Sequence, residues 1–507
     1  MPSRKGPTAP RVQRGADAIP NHAAMAWGEA GSVSSGCAGR RRISGPRMQE
    51  ATQKLRDRGH YRRDGTELGR LTRSILAPIA LLALVSSVHV RGAGAAPNDF
   101  YDRLQAARAL AAEGDLVGAR KLFMALDREE GGHASSIWNL ARIDARRGDG
   151  EAAVRALEEF AGMGLAGFPS RDSSFTVLAD YPRYLAVELW LAKNAVPLAN
   201  ASVAHRLHDA VLLPEDLAFD AGTRTLYVSS IHRRKVIAID SAGVLRDFIP
   251  PAQNGIWGVY GLALDAPRGL LWGSMAAGPT CDGFDPADSG RTALVGWDLN
   301  SGVERLRVEL PRDGGRHVLG DITLGKDGTV FATESVGGGL FALRPDAGTL
   351  DTLAAPGTFG SPQSPVALPG GDRLLVADYP RGIMAFDLAT GSVSPFPKPR
   401  SLAATGIDGL TLVPRDGAPG LLAVQNGTQP RRLLWLSLDA DMTRITGWKV
   451  LEQASPALGE PNHAIVVGDD AVLIGNSGWE RVNGRDELET GPDDVPPAIL
   501  RIRVDAK

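Results

Sequence analysis

Acidic, amide and imidazole side chains recur at one point of a repeated pattern. Glu215, Asp408 and Asn462 each stand two residues ahead of a short apolar run, and Asp216, Asp321 and His463 stand immediately before such runs. Donors of these types, brought together from separate segments, can hold a divalent cation. Carboxylate and amide oxygens suit Ca2+ or Mg2+, whereas an imidazole shifts the preference towards Zn2+ or another transition ion such as Mn2+. The candidate metal ligands are therefore Glu215, Asp321, Asp408, Asn462 and His463, with Asp408 also able to act as a general base. The plainer alternative is that Glu215 and Asp408 are polar plugs bonded to nearby backbone, and that His463 is a structural histidine. No GxSxG, Walker loop, dinucleotide fingerprint or paired CxxC occurs, and Cys281 has no His at a catalytic spacing. A nucleotide cofactor and Ser or Cys nucleophiles thus lack their usual sequence support.

The elements that must position these groups form a module of three short apolar runs, repeated six times between Leu213 and Val504. LAFD, TLYVSS and KVIAID make up the first copy; later copies begin YGLALD, GDITLG, SPVALP, DGLTLV and HAIVVG. Runs this short, separated by turn-rich gaps, suit strands. Six such units predict a mainly β fold, a six-bladed β-propeller over 213–504, with two sandwiched sheets as the alternative. In a propeller the first strand of each blade lines the channel, so Glu215, Tyr260, Gly320, Ser364, Asp408 and Asn462 fall around one mouth. Tyr260 and Ser364, together with Glu334 at the end of a second strand, are the candidate substrate-binding residues. Two long loops, Ala276 to Thr292 and Gly478 to Pro497, are expected on the same face.

LPEDLAFD around Glu215, GDITLGKDGTVFATES, SPVALPGGDRLLVADY and GIDGLTLV around Asp408 resemble the regucalcin and gluconolactonase family, with paraoxonases as more distant six-bladed relatives. The resemblance spans about Leu213 to Val504. It implies a divalent metal held by a Glu of blade one, an Asn of blade four and an Asp of blade five, with lactone ring opening beside it. Glu215 and Asp408 match that pattern. Ser364 stands where the family has Asn, and Gly320 replaces the Asn that precedes the matched Asp321. The implied function is a metal-assisted lactonase or esterase acting on a small lactone or ester, with Ca2+ the leading cation. The competing function is a non-catalytic propeller that binds a ligand or another exported protein.

Ahead of the strands the periodicity becomes helical over 98–195. Ala107, Arg108, Gly114, Asp115 and Ala119 repeat as Ala141, Arg142, Gly148, Asp149 and Ala153, a spacing of 34 residues that resembles tetratricopeptide helix pairs. This region is expected either to bind a protein partner or to pack as a collar on the propeller, with 196–212 as a linker. Further upstream, 74–95 combines an apolar core (SILAPIALLALVSSVHV) with small residues at Ala93 to Ala95, behind a basic segment; this predicts a signal peptide and export to the periplasm or beyond, a membrane anchor being the alternative. Residues 1–73 are a disordered leader or an over-extended start. Removing residues 1–95 takes away 16 of 56 basic and 6 of 58 acidic side chains, leaving 40 against 52 and a net charge of −12. That balance argues against nucleic acid or an anionic membrane as partner. It also leaves Cys281 as the lone cysteine, so no intrachain disulfide contributes.

Overall fold

The computed structural model describes residues 99–414 and 418–504. The expected leader and signal peptide, 1–73 and 74–95, lie outside the described residues. Among the described residues, no helix is long and apolar enough to cross a membrane.

Six four-stranded sheets carry the strand modules. Within each, the strands pair antiparallel, beginning with an inner strand: Leu217–Asp220, Gly258–Asp265, Leu319–Leu324, Pro362–Ala367, Ile407–Val413 and Ala464–Val467 in blades one to six. Each inner strand contacts that of the next blade, and the sixth contacts the first, so the ring is closed. This fold is the six-bladed propeller. The runs read as continuous apolar stretches because each sheet is covered on both sides by its neighbours: all six residues of Thr225–Ser230 and of Gly420–Gln425 are buried. Apolar layers fill every gap between consecutive sheets, including Trp297 between blades one and two and Trp435 between blades five and six. Gly273 lies under the Trp297 ring, where an added methyl would sit 2.5 Å from it.

Blade six differs from expectation. Residues 196–212, expected as a linker, contain the strand Ser202–Arg206, which pairs with Ala498–Arg503 and forms the outer edge of that blade. The first and last strands of the ring thus meet within one sheet, and the edge of Ala498–Arg503 that would otherwise present free backbone groups is paired. A mostly exposed sequence, SVAHR, carries no apolar alternation by which a strand could be foreseen.

Among the described residues, five α-helices precede the ring: α1 (Asp99–Glu113), α2 (Leu116–Glu129), α3 (Ala134–Arg146), α4 (Gly150–Gly162) and α5 (Pro182–Asn194). The 34-residue spacing has a local basis. Gly114 and Gly148 take left-handed φ of +92° and +81°, and Asp115 and Asp149 follow as N-caps accepting from the Gly118 and Ala152 amides. The helical array packs on the propeller as a collar over blades four and five. Arg381 bonds Glu129 at 2.8 Å and the buried Glu130, Arg400 bonds Asp127 at 2.6 Å, and Lys398 Nζ donates to the Gly132 carbonyl at 2.9 Å. Arg432 is fully buried and donates to the Met163 and Gly164 carbonyls at the C-terminal end of α4. There it satisfies carbonyls that the end of a helix leaves without an amide partner.

Candidate functional site

Because strands alternate in direction, the starts of the inner strands, the loops between second and third strands and the links between blades all share one face. At its centre the site has two levels. On the upper level, Glu215 Oε2 accepts from Asn462 Nδ2 at 2.5 Å and from the indole of Trp479, which comes from the long loop of blade six. Across the mouth, Asp408 Oδ2 accepts from Asn426 Nδ2 at 2.5 Å, and Asn426 Oδ1 accepts from the Tyr379 hydroxyl at 3.1 Å.

One residue deeper, Asp216, Asp321 and His463 meet from blades one, three and six, each offering a ligand atom within 4.8 Å of the others. Asp216 Oδ1 lies 3.3 Å from His463 Nδ1 and also accepts from the Leu217 amide at 2.6 Å, while its Oδ2 accepts from the Leu262 amide at 2.7 Å. Asp321 Oδ2 accepts from Ser364 Oγ at 2.7 Å. Thr411 Oγ1 donates to the Ala464 carbonyl at 2.6 Å, so towards His463 Nε2, 3.2 Å away, it is an acceptor. Nε2 is thus the edge bonded to Thr411, and Nδ1 is the ring nitrogen turned towards Asp216 and, at 3.4 Å, the Ser364 hydroxyl.

Four carboxyl groups are consequently crowded together. Burial, reinforced by Asp408 and Asp321, raises Glu215 well above the usual carboxylate range. Burial and then Asp321 push Asp408 up to about 7, and burial holds Asp216 at about 6 against the lowering effect of His463. Asp321 is raised by burial as well. The Asp216 and Asp321 carboxylates and the His463 imidazole form a donor set that fits a divalent cation; on the upper level Asn462 Oδ1 is buried and has no hydrogen-bond partner among the described residues.

The residues singled out in sequence fall into three groups. Asp321 and His463 meet at the deeper level, where the unselected neighbour Asp216 replaces Glu215 as their partner. Glu215, Asp408 and Asn462 line the upper level. Ser364 is a buried brace of Asp321, and Tyr260 is buried against Cys281 and Val482 under the long loops. Glu334 is occupied by its own loop: it accepts from the amides of Val318 at 3.0 Å, Val336 at 3.2 Å and Gly337 at 2.6 Å. Sequence reasoning passed over Asn426, Tyr379, Thr411 and Trp479, which sit on second-to-third-strand loops or mid-strand and have no position in the repeat that marks them. Asp216 alone carried a signal, as the acidic counterpart of Asp321 in the aligned modules.

The fold and its mouth define a six-bladed propeller with an acidic, imidazole-bearing channel opening. Solved structures with a similar fold include a gluconolactonase from Xanthomonas campestris (16% identity, TM-score 0.39, 61% of this chain and 96% of that chain). The calcium-binding protein regucalcin from Agrobacterium tumefaciens is also similar (16% identity, TM-score 0.39, 60% and 96%), as is a luciferin-regenerating enzyme (13% identity, TM-score 0.41, 61% and 95%). At these identities the likeness is one of fold. No family model and no curated protein matches the chain.

Proposed function

We propose that this propeller is an exported, divalent-cation-dependent hydrolase of lactones or related small esters, working at the channel mouth. The observation that carries the proposal is the convergence of Glu215, Asp216, Asp321 and Asp408 around His463. So many buried carboxyl groups repel one another, and a bound cation is the simplest counter-charge. Such a cation would polarise an ester carbonyl and acidify a water molecule. The surrounding residues fit the remaining tasks. Asp408, held at about 7 by burial and Asp321, is matched to accepting a proton near neutral pH. Asn426 orients that carboxylate from one side, while Ser364 and Thr411 fix Asp321 and His463 from below. Trp479, from the long loop of blade six, supplies an aromatic face suited to a small ring.

Elemental analysis of the purified chain, with thermal shifts in Ca2+, Mn2+ and Zn2+ and hydrolysis assays on a lactone panel before and after chelation, tests this. The expected result is about one ion per chain and activity lost on chelation and restored by one of the three cations. Absence of both bound metal and any thermal shift would sink the proposal.

A further inference from the structure

Four consecutive residues of the second-to-third-strand loop of blade four, Asp378 to Arg381, face two ways. Three are gripped by the helical collar. Tyr101 of α1 donates its hydroxyl to Asp378, His133 Nε2 lies 3.0 Å from the Pro380 carbonyl, and Arg381 bonds Glu129 and Glu130 at the end of α2. The fourth, Tyr379, turns inward, is 3% exposed and donates to Asn426 Oδ1 at 3.1 Å. Asn426 in turn donates to Asp408 Oδ2 at 2.5 Å and to the Pro461 carbonyl at 3.1 Å, two residues before His463. The next loop repeats the arrangement. Collar carbonyls at Met163 and Gly164 hold Arg432, and the Ala166 amide donates to the Gln429 carbonyl at 2.7 Å, while Asn426 at the other end of that loop faces the mouth. Packing at the junction is tight: an added methyl at Gly427 would lie 2.4 Å from the Tyr379 hydroxyl.

We propose that Tyr379 and Asn426 are positioning residues through which the helical collar sets the orientation of Asp408, so that collar and channel mouth act as one unit. A loop clamped on its outer side cannot shift without dragging its inward residue, and Tyr379 is the inward residue of a loop clamped at three points. The collar is therefore a structural part of the site, in addition to any surface it offers elsewhere. That the mouth takes a cation rests on the function proposed above; the relay itself does not.

Two substitutions remove a single oxygen each, Tyr379→Phe next to Asn426 and Tyr101→Phe one step further out. Arg183→Ala, on the exposed face of α4 and α5 where Arg183 pairs with Glu158 and Glu151, serves as a collar control outside the relay. Calcium, manganese and zinc titrations of the full chain by calorimetry are expected to show weaker binding for Tyr379→Phe, by less than the roughly ten-fold that removal of a ligand's direct outer-shell partner costs, because Asn426 stands between. Tyr101→Phe shifts affinity in the same direction by less, and Arg183→Ala leaves it unchanged. Wild-type affinity in Tyr379→Phe overturns the relay. Should the wild-type chain bind none of the three ions, the hydrolase reading falls, and hydrogen exchange decides the relay alone: faster exchange across 405–413 in both tyrosine variants supports it, and exchange equal to the wild type overturns it.

Discussion

The chemistry of individual residues at the channel mouth sets stability against function. Asp321 is buried near three other carboxyl groups, so its charge is a liability in the absence of a cation. Asp321→Asn should raise the melting temperature of chelated protein by about 2 °C or more while weakening cation binding by about ten-fold or more; calorimetry with and without chelator checks both. His463→Gln keeps a hydrogen-bonding side chain but lacks the imidazole nitrogen that faces Asp216. The expected outcome is a loss of Zn2+ and Mn2+ affinity greater than that of Ca2+, because imidazole favours transition ions. How legible these groups were in sequence depended on where they lie. Asp408 lies two residues ahead of an inner apolar run and Asp321 and His463 immediately ahead of theirs, and the repeat marks both positions. Asn426 and Tyr379 are loop residues whose role depends on contacts between blades, and Glu334 shares its second-strand terminus with Asp378, where the side chain braces the loop leading into its own blade's inner strand.

At the scale of elements, the collar is fastened by buried polar groups with strong pairing requirements. Arg381 lies between Glu129 and Glu130 and stacks 4.7 Å from the centre of the Phe100 ring. Arg381→Ala leaves Glu130 buried and unpaired, and a cost of about 3–5 kcal/mol is expected in urea melts. His133 gives a pH signature. Burial depresses it from 6.5 to about 4 in the folded chain, so between these values the unfolded chain binds more protons. Its contribution is therefore present above about 6.5 and is lost as pH falls towards 4. Glu130, raised to about 7 by burial, works in the opposite sense, since the folded chain binds the extra proton between 4.5 and 7. The His133 part should appear as a fall in stability below pH 6.5 that disappears in His133→Gln, measured by denaturant melts at stepped pH. The capped helix pairs were readable from Gly-Asp at a 34-residue spacing because the turn chemistry is local. Their docking was not, since Arg381, Arg400 and Arg432 lie more than 200 residues from the groups they meet.

For the whole molecule, the recurrence of apolar runs announced six sheets, because every blade needs the same doubly covered core. Closure of the ring escaped notice, because the outer strand of a blade has one exposed side and needs no apolar face. Ser202–Arg206 is nevertheless hydrogen-bonded along Ala498–Arg503. A chain shortened to begin after Arg206 should lose cooperative unfolding and self-associate through the bared edge, whereas one beginning at Asp99 should stay intact; light scattering and thermal melts separate the two outcomes.

That pairing also imposes an order in time. Arg206 leaves the ribosome 292 residues before Ala498, an interval of about 15–60 s at ordinary elongation rates. Throughout it the helices can fold, but the ring stands open as a crescent, its first and latest sheets both lacking a neighbour. Completion of Ala498–Arg503 therefore acts as the latch, and a chain terminated a few residues before Ala498 would keep five blades and still have no way to close.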